Sequence, residues 1–248
     1  MSEAFEPPYG LAQYLRDLVG PAWDAAVQHR FVDELLAGTI ADDVLRRYLV
    51  QDYQFCDAFT ALLGQATASA PTLASRLRFA RQLGMFASDE NTYFVDSFDA
   101  LGVPEEDRRA PRTAEATREF DTLMRDVVAT RSYPQALALL IVAEWLYLDW
   151  ASRADREPFA ATRPEHVGWV DLHRGPDFAE WVRWLCAELT AAEPIEPRDR
   201  VTVEDVFCRA VACELAFFDA AYDEPTDAAT GTGTGTPTRG VDNAVAEA

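Results

Sequence analysis

The segment Leu139–Trp150 limits the fold more than any other part of the sequence. It reads LLIVAEWLYLDW, so apolar side chains fill nearly every position, and Glu144 stands in its middle. We interpret it as the core of a buried helix. An ionised carboxylate is costly to bury without partners. Glu144 is therefore either well paired or takes part in chemistry.

Two other carboxylates stand in similar surroundings, in the segments YLVQDYQF around Asp52 and ACELAFF around Glu214. Asp52 shares a predicted helix face with Phe55, because the two residues are three positions apart. Glu144 and Tyr147 are related in the same way. Three acids on three aromatic-rich helices indicate a pocket inside a helix bundle.

A carboxylate flanked by aromatic rings suits a flat, nitrogen-rich ring, which can stack while the acid accepts its N–H protons. A structural alternative stays open for each acid, which is pairing with the backbone or with an Arg of a neighbouring helix. His173 is predicted to lie in a loop before a helix, and loops often contain functional polar residues. Its alternative is a surface or capping role.

Helical periodicity runs through almost the whole chain, and no segment alternates like a strand. The helices are predicted, in residue numbers, at 9–28, 31–38, 39–68, 71–102, 114–130, 133–154, 177–191 and 201–222, with a charged loop at 104–112. Short connections indicate one all-α domain over residues 9–223. Residues 1–8 are an N-terminal extension, and residues 224–248, rich in Thr and Gly, are a predicted flexible tail.

The net charge limits the kinds of molecule that the protein is expected to bind. The chain has 22 basic and 42 acidic residues, a net charge of −20, and every basic residue is Arg. Such a surface repels phosphate backbones, so nucleic-acid binding is disfavoured. Adaptation to high salt is a second interpretation, because screening removes the repulsion among many carboxylates.

No cofactor or compartment signal stands out. The four cysteines contain no C-x-x-C pair and are interpreted as reduced core residues, while the histidines His29, His166 and His173 lack metal-ligand spacing. The apolar run around Leu137–Val142 is far shorter than the roughly 20 residues that cross a bilayer. The N-terminus lacks a signal-peptide layout, so we expect a cytoplasmic protein. The spacing of the histidines and cysteines leads us to expect no metal site.

Several blocks of sequence resemble the TenA/thiaminase II family. They are Phe31-x-x-Glu-Leu-x-x-Gly-Thr-Ile40, Tyr48-Leu-x-Gln-Asp-Tyr53, Trp145-Leu-Tyr147, the segment His173–Phe178 and Glu214-Leu-Ala-Phe217. The resemblance covers about residues 10–222. It implies a haem-oxygenase-like helical bundle, no cofactor, assembly as a homodimer or homotetramer, and hydrolysis of aminopyrimidines related to thiamin.

The resemblance also implies roles for single residues. Asp52 matches the family acid that holds the pyrimidine amine, Glu214 matches a C-terminal catalytic Glu, and Tyr147 matches an active-site Tyr. Ala143 stands where the family has its nucleophilic Cys, in a Leu-Pro-Cys-x-Trp-x-Tyr motif. With Glu144 next to it, the sequence is similar to a Cys-less branch in which a Glu marks the active site.

Two further positions depart from the family pattern, since Phe120 and His173 replace Tyr residues of the pocket. The Cys-less branch is linked to hydrolysis of formylamino- and aminomethyl-pyrimidines formed when thiamin degrades. The resemblance therefore implies salvage of the thiamin pyrimidine. In the predicted mechanism Glu144 and Glu214 share acid and base catalysis, while the substrate is bound by Asp52, Phe55, Phe120, Tyr147 and His173.

Other functions remain open at this stage. Loss of the Cys and of two Tyr is also what a non-catalytic pyrimidine binder would have. The same fold is used by haem oxygenase, for which His29 is the only early candidate ligand, and by the enzyme of the last step of pyrroloquinoline quinone synthesis. A transcriptional regulator is disfavoured by the charge of −20 and by the absence of a helix-turn-helix signature.

Overall fold

Helices form almost all of the chain that the computed structural model describes, which is residues 10–109, 111–192 and 195–223. The α-helices are α1 (Leu11–Leu18), α2 (Gly20–Val27), α3 (Arg30–Ala37), α4 (Asp42–Asp52), α5 (Phe55–Ser69), α6 (Leu73–Met85), α7 (Asn91–Ala100), α8 (Glu105–Arg109), α9 (Glu115–Thr130), α10 (Tyr133–Ala151), α11 (Pro164–Leu172), α12 (Pro176–Ala191) and α13 (Pro197–Ala220). These residues contain no strand, so the all-α prediction is confirmed. The predicted extension 1–8 and tail 224–248 lie outside the described residues.

Helix α10 is the central element of the bundle. It packs against α2, α5, α9, α12 and α13, and residues from Ala136 to Ala151 are buried on nearly every side. Pro134 in the first turn and the Ser132 side chain, which accepts a hydrogen bond from the Gln135 N–H, fix its start. The apolar segment of the sequence is therefore the axis around which the other helices pack.

The predicted helix 39–68 is two helices joined by a tight turn. Tyr53 and Gln54 keep right-handed dihedrals, but the Gln54 N–H bonds to the carbonyl three residues back, 3.1 Å away. The Tyr53 ring packs on Phe94 of α7, with 5.2 Å between the ring centres, and its hydroxyl donates to Asn91. This anchoring explains the turn, which separates Asp52 from Phe55.

Further predictions about elements need correction. The predicted helix 9–28 is divided at Val19 into α1 and α2. The predicted helix 71–102 is divided into α6 and α7 by a π-helical turn at Phe86–Glu90. The predicted loop 104–112 contains the short helix α8. Sequence analysis missed α11, whose start at Pro164 is a common helix signal. Within the described ranges, none of the helices combines the length and apolar character that a bilayer crossing requires.

Candidate active site

A cavity of about 150 Å³ lies beside α10, enclosed by α4–α7, α9 and α11–α13. A cavity of about this size accommodates a single six-membered ring. All seven residues singled out in the sequence line it, and they are Asp52, Phe55, Phe120, Glu144, Tyr147, His173 and Glu214. Ala143 lines it as well. The structure thus brings the candidate residues of six separate elements to one place.

The three acids have no ionic partners among the described residues. Asp52 ends α4, Glu144 lies on α10 and Glu214 on α13. Glu144 and Glu214 are only 6% and 2% exposed. One oxygen of Glu214, Oε2, is completely buried without a hydrogen-bond partner. Pairing with an Arg, the structural alternative for these acids, does not occur in the part of the chain that the structure describes.

Burial changes the proton affinity of these acids. It raises the pKa of Asp52 to about 8 and the pKa of Glu144 to about 7. The pKa of Glu214 is raised well above its usual value of 4.5 by burial and by the nearby Asp52. The Trp181 indole and the Tyr147 hydroxyl oppose these shifts at Glu144 and Glu214, although neither forms a hydrogen bond of standard geometry with its acid. The site can therefore both accept and donate protons near neutral pH.

Tyr147 is held by a second tyrosine. Its hydroxyl lies 2.8 Å from the hydroxyl of Tyr48, which is buried on α4. Burial and the neighbouring Glu214 raise the pKa of Tyr147 well above 10, so its hydroxyl stays protonated. One of the two hydroxyl groups donates its proton to the oxygen of the other. When Tyr48 is the donor, the proton of Tyr147 is available to a ligand in the cavity.

His173 lies where it is predicted, in the turn that leads into α12. It is the C-cap residue that follows α11, and it is buried instead of lying on the surface. Its Nδ1 lies 2.8 Å from the carbonyl oxygen of Trp169. A carbonyl only accepts, so Nδ1 bears the proton, and burial lowers the pKa of the ring to about 4. Neutral His173 therefore has Nε2 as a free acceptor.

Phe55 and Phe120 form one wall. Their ring centres are 5.2 Å apart and the rings meet edge to face at 64°. The rings touch each other, so a flat ligand packs against their joint surface and cannot enter between them. Tyr147 and His173, with ring centres 4.9 Å apart, form another part of the lining.

Sequence analysis missed a fourth acid, Glu90, which lines the same cavity from the π-helical turn. Burial raises its pKa well above 4.5, and the charges of Asp52 and Glu144 raise it further. Glu90 stands four residues after Phe86 and four before Phe94, and both rings line the cavity. This helical spacing between two aromatic residues is the sequence signal that could have identified Glu90.

The cysteines do not replace the missing nucleophile. Cys56 lines the cavity, but burial and the charges of Asp52 and Glu90 raise the pKa of its thiol far above neutral. Reactive cysteines need the thiolate form. Although several carboxyl groups share the cavity, no group of three or more His, Cys, Asp or Glu side chains in residues 10–109, 111–192 and 195–223 is arranged to hold a metal ion.

Solved structures establish the class of fold. A TenA homologue from Pyrococcus furiosus superposes with a TM-score of 0.76 at 21% identity, covering 85% of this chain and 99% of that one. A domain of unknown function from Shewanella denitrificans, described as having a haem-oxygenase-like fold, gives a TM-score of 0.65 at 16% identity over 87% and 93% of the chains. The protein is thus a haem-oxygenase-like helical bundle with an acid-lined internal cavity.

Sequence comparison gives the family. The model of the TENA/THI-4/PQQC family matches residues 16–224, and the chain belongs to that family. An aminopyrimidine aminohydrolase of Halalkalibacterium halodurans is 23% identical over 214 residues, covering 86% of this chain and 96% of that protein. The Helicobacter pylori protein of the same name is 21% identical over 215 residues, covering 86% and 98%.

Proposed function

We propose that this protein is a cofactor-free hydrolase that cleaves a C–N bond of a thiamin-derived aminopyrimidine, in salvage of the thiamin pyrimidine. The observation that supports it most is the set of unpaired carboxyl groups around an aromatic cavity with room for one ring. Family membership and the names of the two aminohydrolase relatives support the same activity.

Binding in this proposal uses complementary polar groups. Asp52 pairs with the exocyclic amine or a ring nitrogen of the pyrimidine. His173 Nε2 accepts a hydrogen bond from the edge of the ring, since its Nδ1 is committed to Trp169. The ring packs on the surface formed by Phe55 and Phe120.

Catalysis in this proposal needs one acid and one base. Of Glu144 and Glu214, the ionised group takes a proton from water, whose oxygen bonds to the carbon of the C–N bond that breaks. This is the methylene carbon in the aminomethyl compound, which releases ammonia, and the formyl carbon in the formylaminomethyl compound, which releases formate. The protonated group gives its proton to the departing nitrogen. Burial and the shared cavity keep one of two nearby acids protonated. Ala143 has no nucleophile, so water attacks directly and no covalent adduct forms.

Two alternatives on this fold are less well supported. Pyrroloquinoline quinone is a polycarboxylate, whereas the described lining of the cavity contains no Arg and its one His is neutral. Haem oxygenase needs a free proximal His. His29 instead caps α3 through Nδ1 and pairs with Asp219 through Nε2, and it is not in the cavity lining.

The test is incubation of the purified protein with three compounds separately, the aminomethyl-pyrimidine, the formylaminomethyl-pyrimidine and thiamin. We expect release of ammonia from the first and formate from the second, with thiamin intact. Binding of the pyrimidines by calorimetry without turnover would identify the non-catalytic binder. Cleavage of thiamin alone would contradict direct hydrolysis without a Cys.

The setting of the protein is part of the same proposal. We place it in the cytoplasm, as a homodimer or homotetramer, with a surface adapted to high salt. The net charge of −20 supports the adaptation to high salt, and the family resemblance supports the assembly. Analytical ultracentrifugation tests the assembly, and a monomer at micromolar concentration would contradict it.

A further inference from the structure

Glu90 owes its position to an irregularity of the backbone. The π-helical turn Phe86–Glu90 interrupts what would otherwise be one helix from α6 to α7. Phe86 packs on Phe59 of α5, with ring centres 5.3 Å apart, which holds the turn against the bundle. Short π-helical segments are frequent at functional sites. Here the turn supplies Phe86, Asp89 and Glu90 to the cavity wall.

No cationic side chain is among the described residues that line the cavity with Glu90. Its carboxyl group has no hydrogen bond or ion pair with another described residue, and its charged neighbours are Asp52 of α4 and Glu144 of α10. The other titratable lining groups are Asp89 beside it, Cys56, Tyr147, Glu214 and neutral His173. Like charges in a desolvated site disfavour each other. Protons or a cationic ligand relieve this repulsion.

A second observation indicates that the cavity is built for a ligand with N–H donors. Glu214, 2% exposed, keeps Oε2 fully buried without a partner while lining the cavity. A buried polar atom that lacks a hydrogen-bond partner destabilises the folded protein. Such a group finds its partner when a donor enters the cavity.

We infer that Glu90 is a specificity-determining residue that binds the side arm of the substrate as an ammonium ion. This inference rests on the proposed function. Asp52 holds the ring, and Glu90 pairs with the protonated aminomethyl arm. The site therefore prefers the aminomethyl compound to its neutral hydroxymethyl isostere. An arm that is already protonated departs as ammonia without a further proton, so proton donation by the Glu144 and Glu214 pair then serves the formylaminomethyl compound.

The test compares Glu90→Gln with Asp96→Asn, a matched change at an exposed residue of the adjoining helix α7 that does not line the cavity. Calorimetry at pH 7 uses the aminomethyl-pyrimidine, the hydroxymethyl-pyrimidine and its phosphate ester. Glu90→Gln should weaken binding of the aminomethyl compound at least tenfold and change binding of the hydroxymethyl compound less than threefold. It should change binding of the phosphate ester, which has no ammonium group, less than threefold. Asp96→Asn should change each affinity less than threefold.

Equal losses for the charged and neutral compounds in Glu90→Gln would overturn the inference, because they indicate a structural role. An unchanged affinity for the charged compound would overturn it too. If the Glu90→Gln variant does not fold, the affinities of the wild-type protein provide the test. Equal affinity of the wild-type protein for the aminomethyl and hydroxymethyl compounds contradicts the role of Glu90. If the wild-type protein binds none of the pyrimidines, the proposed function itself is contradicted. This outcome differs from those that contradict only the role of Glu90.

Discussion

Glu144 shows how a single acid fits into an apolar helix. Its neighbours along α10 are buried, and it faces the cavity from the most apolar element of the bundle. Burial raises its pKa to about 7, so an appreciable fraction is neutral at neutral pH, and the neutral form is much less costly to bury. The same shift makes it suitable as a proton donor or acceptor.

Replacing Glu144 by Gln should abolish catalysis without unfolding the protein. Gln keeps the shape of the side chain but cannot exchange a proton, so kcat should fall by about 10²–10⁴-fold. The melting temperature should not fall, because a neutral amide replaces a titrating acid. Circular dichroism and an ammonia-release assay measure the two effects. Asp126→Asn, at an exposed site on α9, is the control, and full activity of Glu144→Gln would refute its role.

Asp52 should make the unliganded protein less stable as the pH rises. Its carboxyl keeps its proton up to about pH 8 in the folded protein, against about 3.8 for an unperturbed Asp. Unfolding therefore releases a proton between about pH 4 and 8, and raising the pH favours the unfolded chain. Asp52→Asn cannot release it, so its free energy of unfolding should fall less steeply, by up to about 1.4 kcal/mol per pH unit.

Urea unfolding of wild type and Asp52→Asn from pH 4 to 8 measures this difference. The two stability curves should converge near pH 4 and separate progressively above it. A gap of constant size across the whole range would mean that the substitution acts through packing, and the titration of Asp52 would not be its cause.

At the scale of elements, the ends of helices depend on contacts that local sequence does not reveal. The turn at Tyr53 depends on α7, which lies nearly 40 residues away and receives the Tyr53 ring and hydroxyl. The π-helical turn that brings Glu90 into the cavity has no known sequence signature. By contrast, α3 ends at Gly38 as its sequence predicts, because glycine adopts φ of 68° without strain.

Gly38 offers a sharp test of this interpretation. A Cβ there would lie 2.9 Å from the Cα of Ala161, in a segment whose N–H groups bond to the carbonyl of Leu36. Gly38→Ala should therefore lower the free energy of unfolding by about 2–4 kcal/mol. Gly64→Ala is the control, since Gly64 is inside α5 with open space around its Cβ position. It should raise stability by about 0.5–1 kcal/mol.

Chemical denaturation measures both glycine variants under the same conditions. The opposite signs are the important result, because both changes add one methyl group. A Gly38→Ala protein as stable as wild type would show that the connection between α3 and the Ala161 segment adapts easily. The end of α3 would then not depend on glycine.

At the scale of the whole molecule, sequence was sufficient for the all-α class and for the three acids that line the cavity. Asp52, Glu144 and Glu214 were recognisable because a carboxylate among rings is unusual wherever the helix packs. The turn position of His173 is predictable from the sequence, but its burial depends on contacts with Trp169 and Tyr147 that local sequence does not reveal. Glu90 is spaced between Phe86 and Phe94 as on one helix face, but its place in the cavity depends on the π-helical turn, which the sequence does not reveal.

The net charge of −20 should make stability depend on salt. The Debye length, over which exposed charges interact, falls from about 10 Å at 0.1 M salt to about 3 Å at 1 M. The melting temperature should therefore rise by about 5–10 °C between these concentrations, equivalent to a few kcal/mol for a chain of this size. At pH 4, where many exposed carboxylates are protonated, the rise should shrink. A maximum of stability at low salt would contradict adaptation to high salt.

The cavity joins helices from both halves of the chain, since Asp52 lies in α4 and Glu214 in α13. A ligand that fits there binds only the completed bundle, and at a hundred times its Kd it adds about 2.7 kcal/mol to stability. The concentration of the ligand in the cell then affects the lifetime of the protein. A cell rich in the pyrimidine keeps more copies intact, while scarcity leaves more of them open to proteolysis.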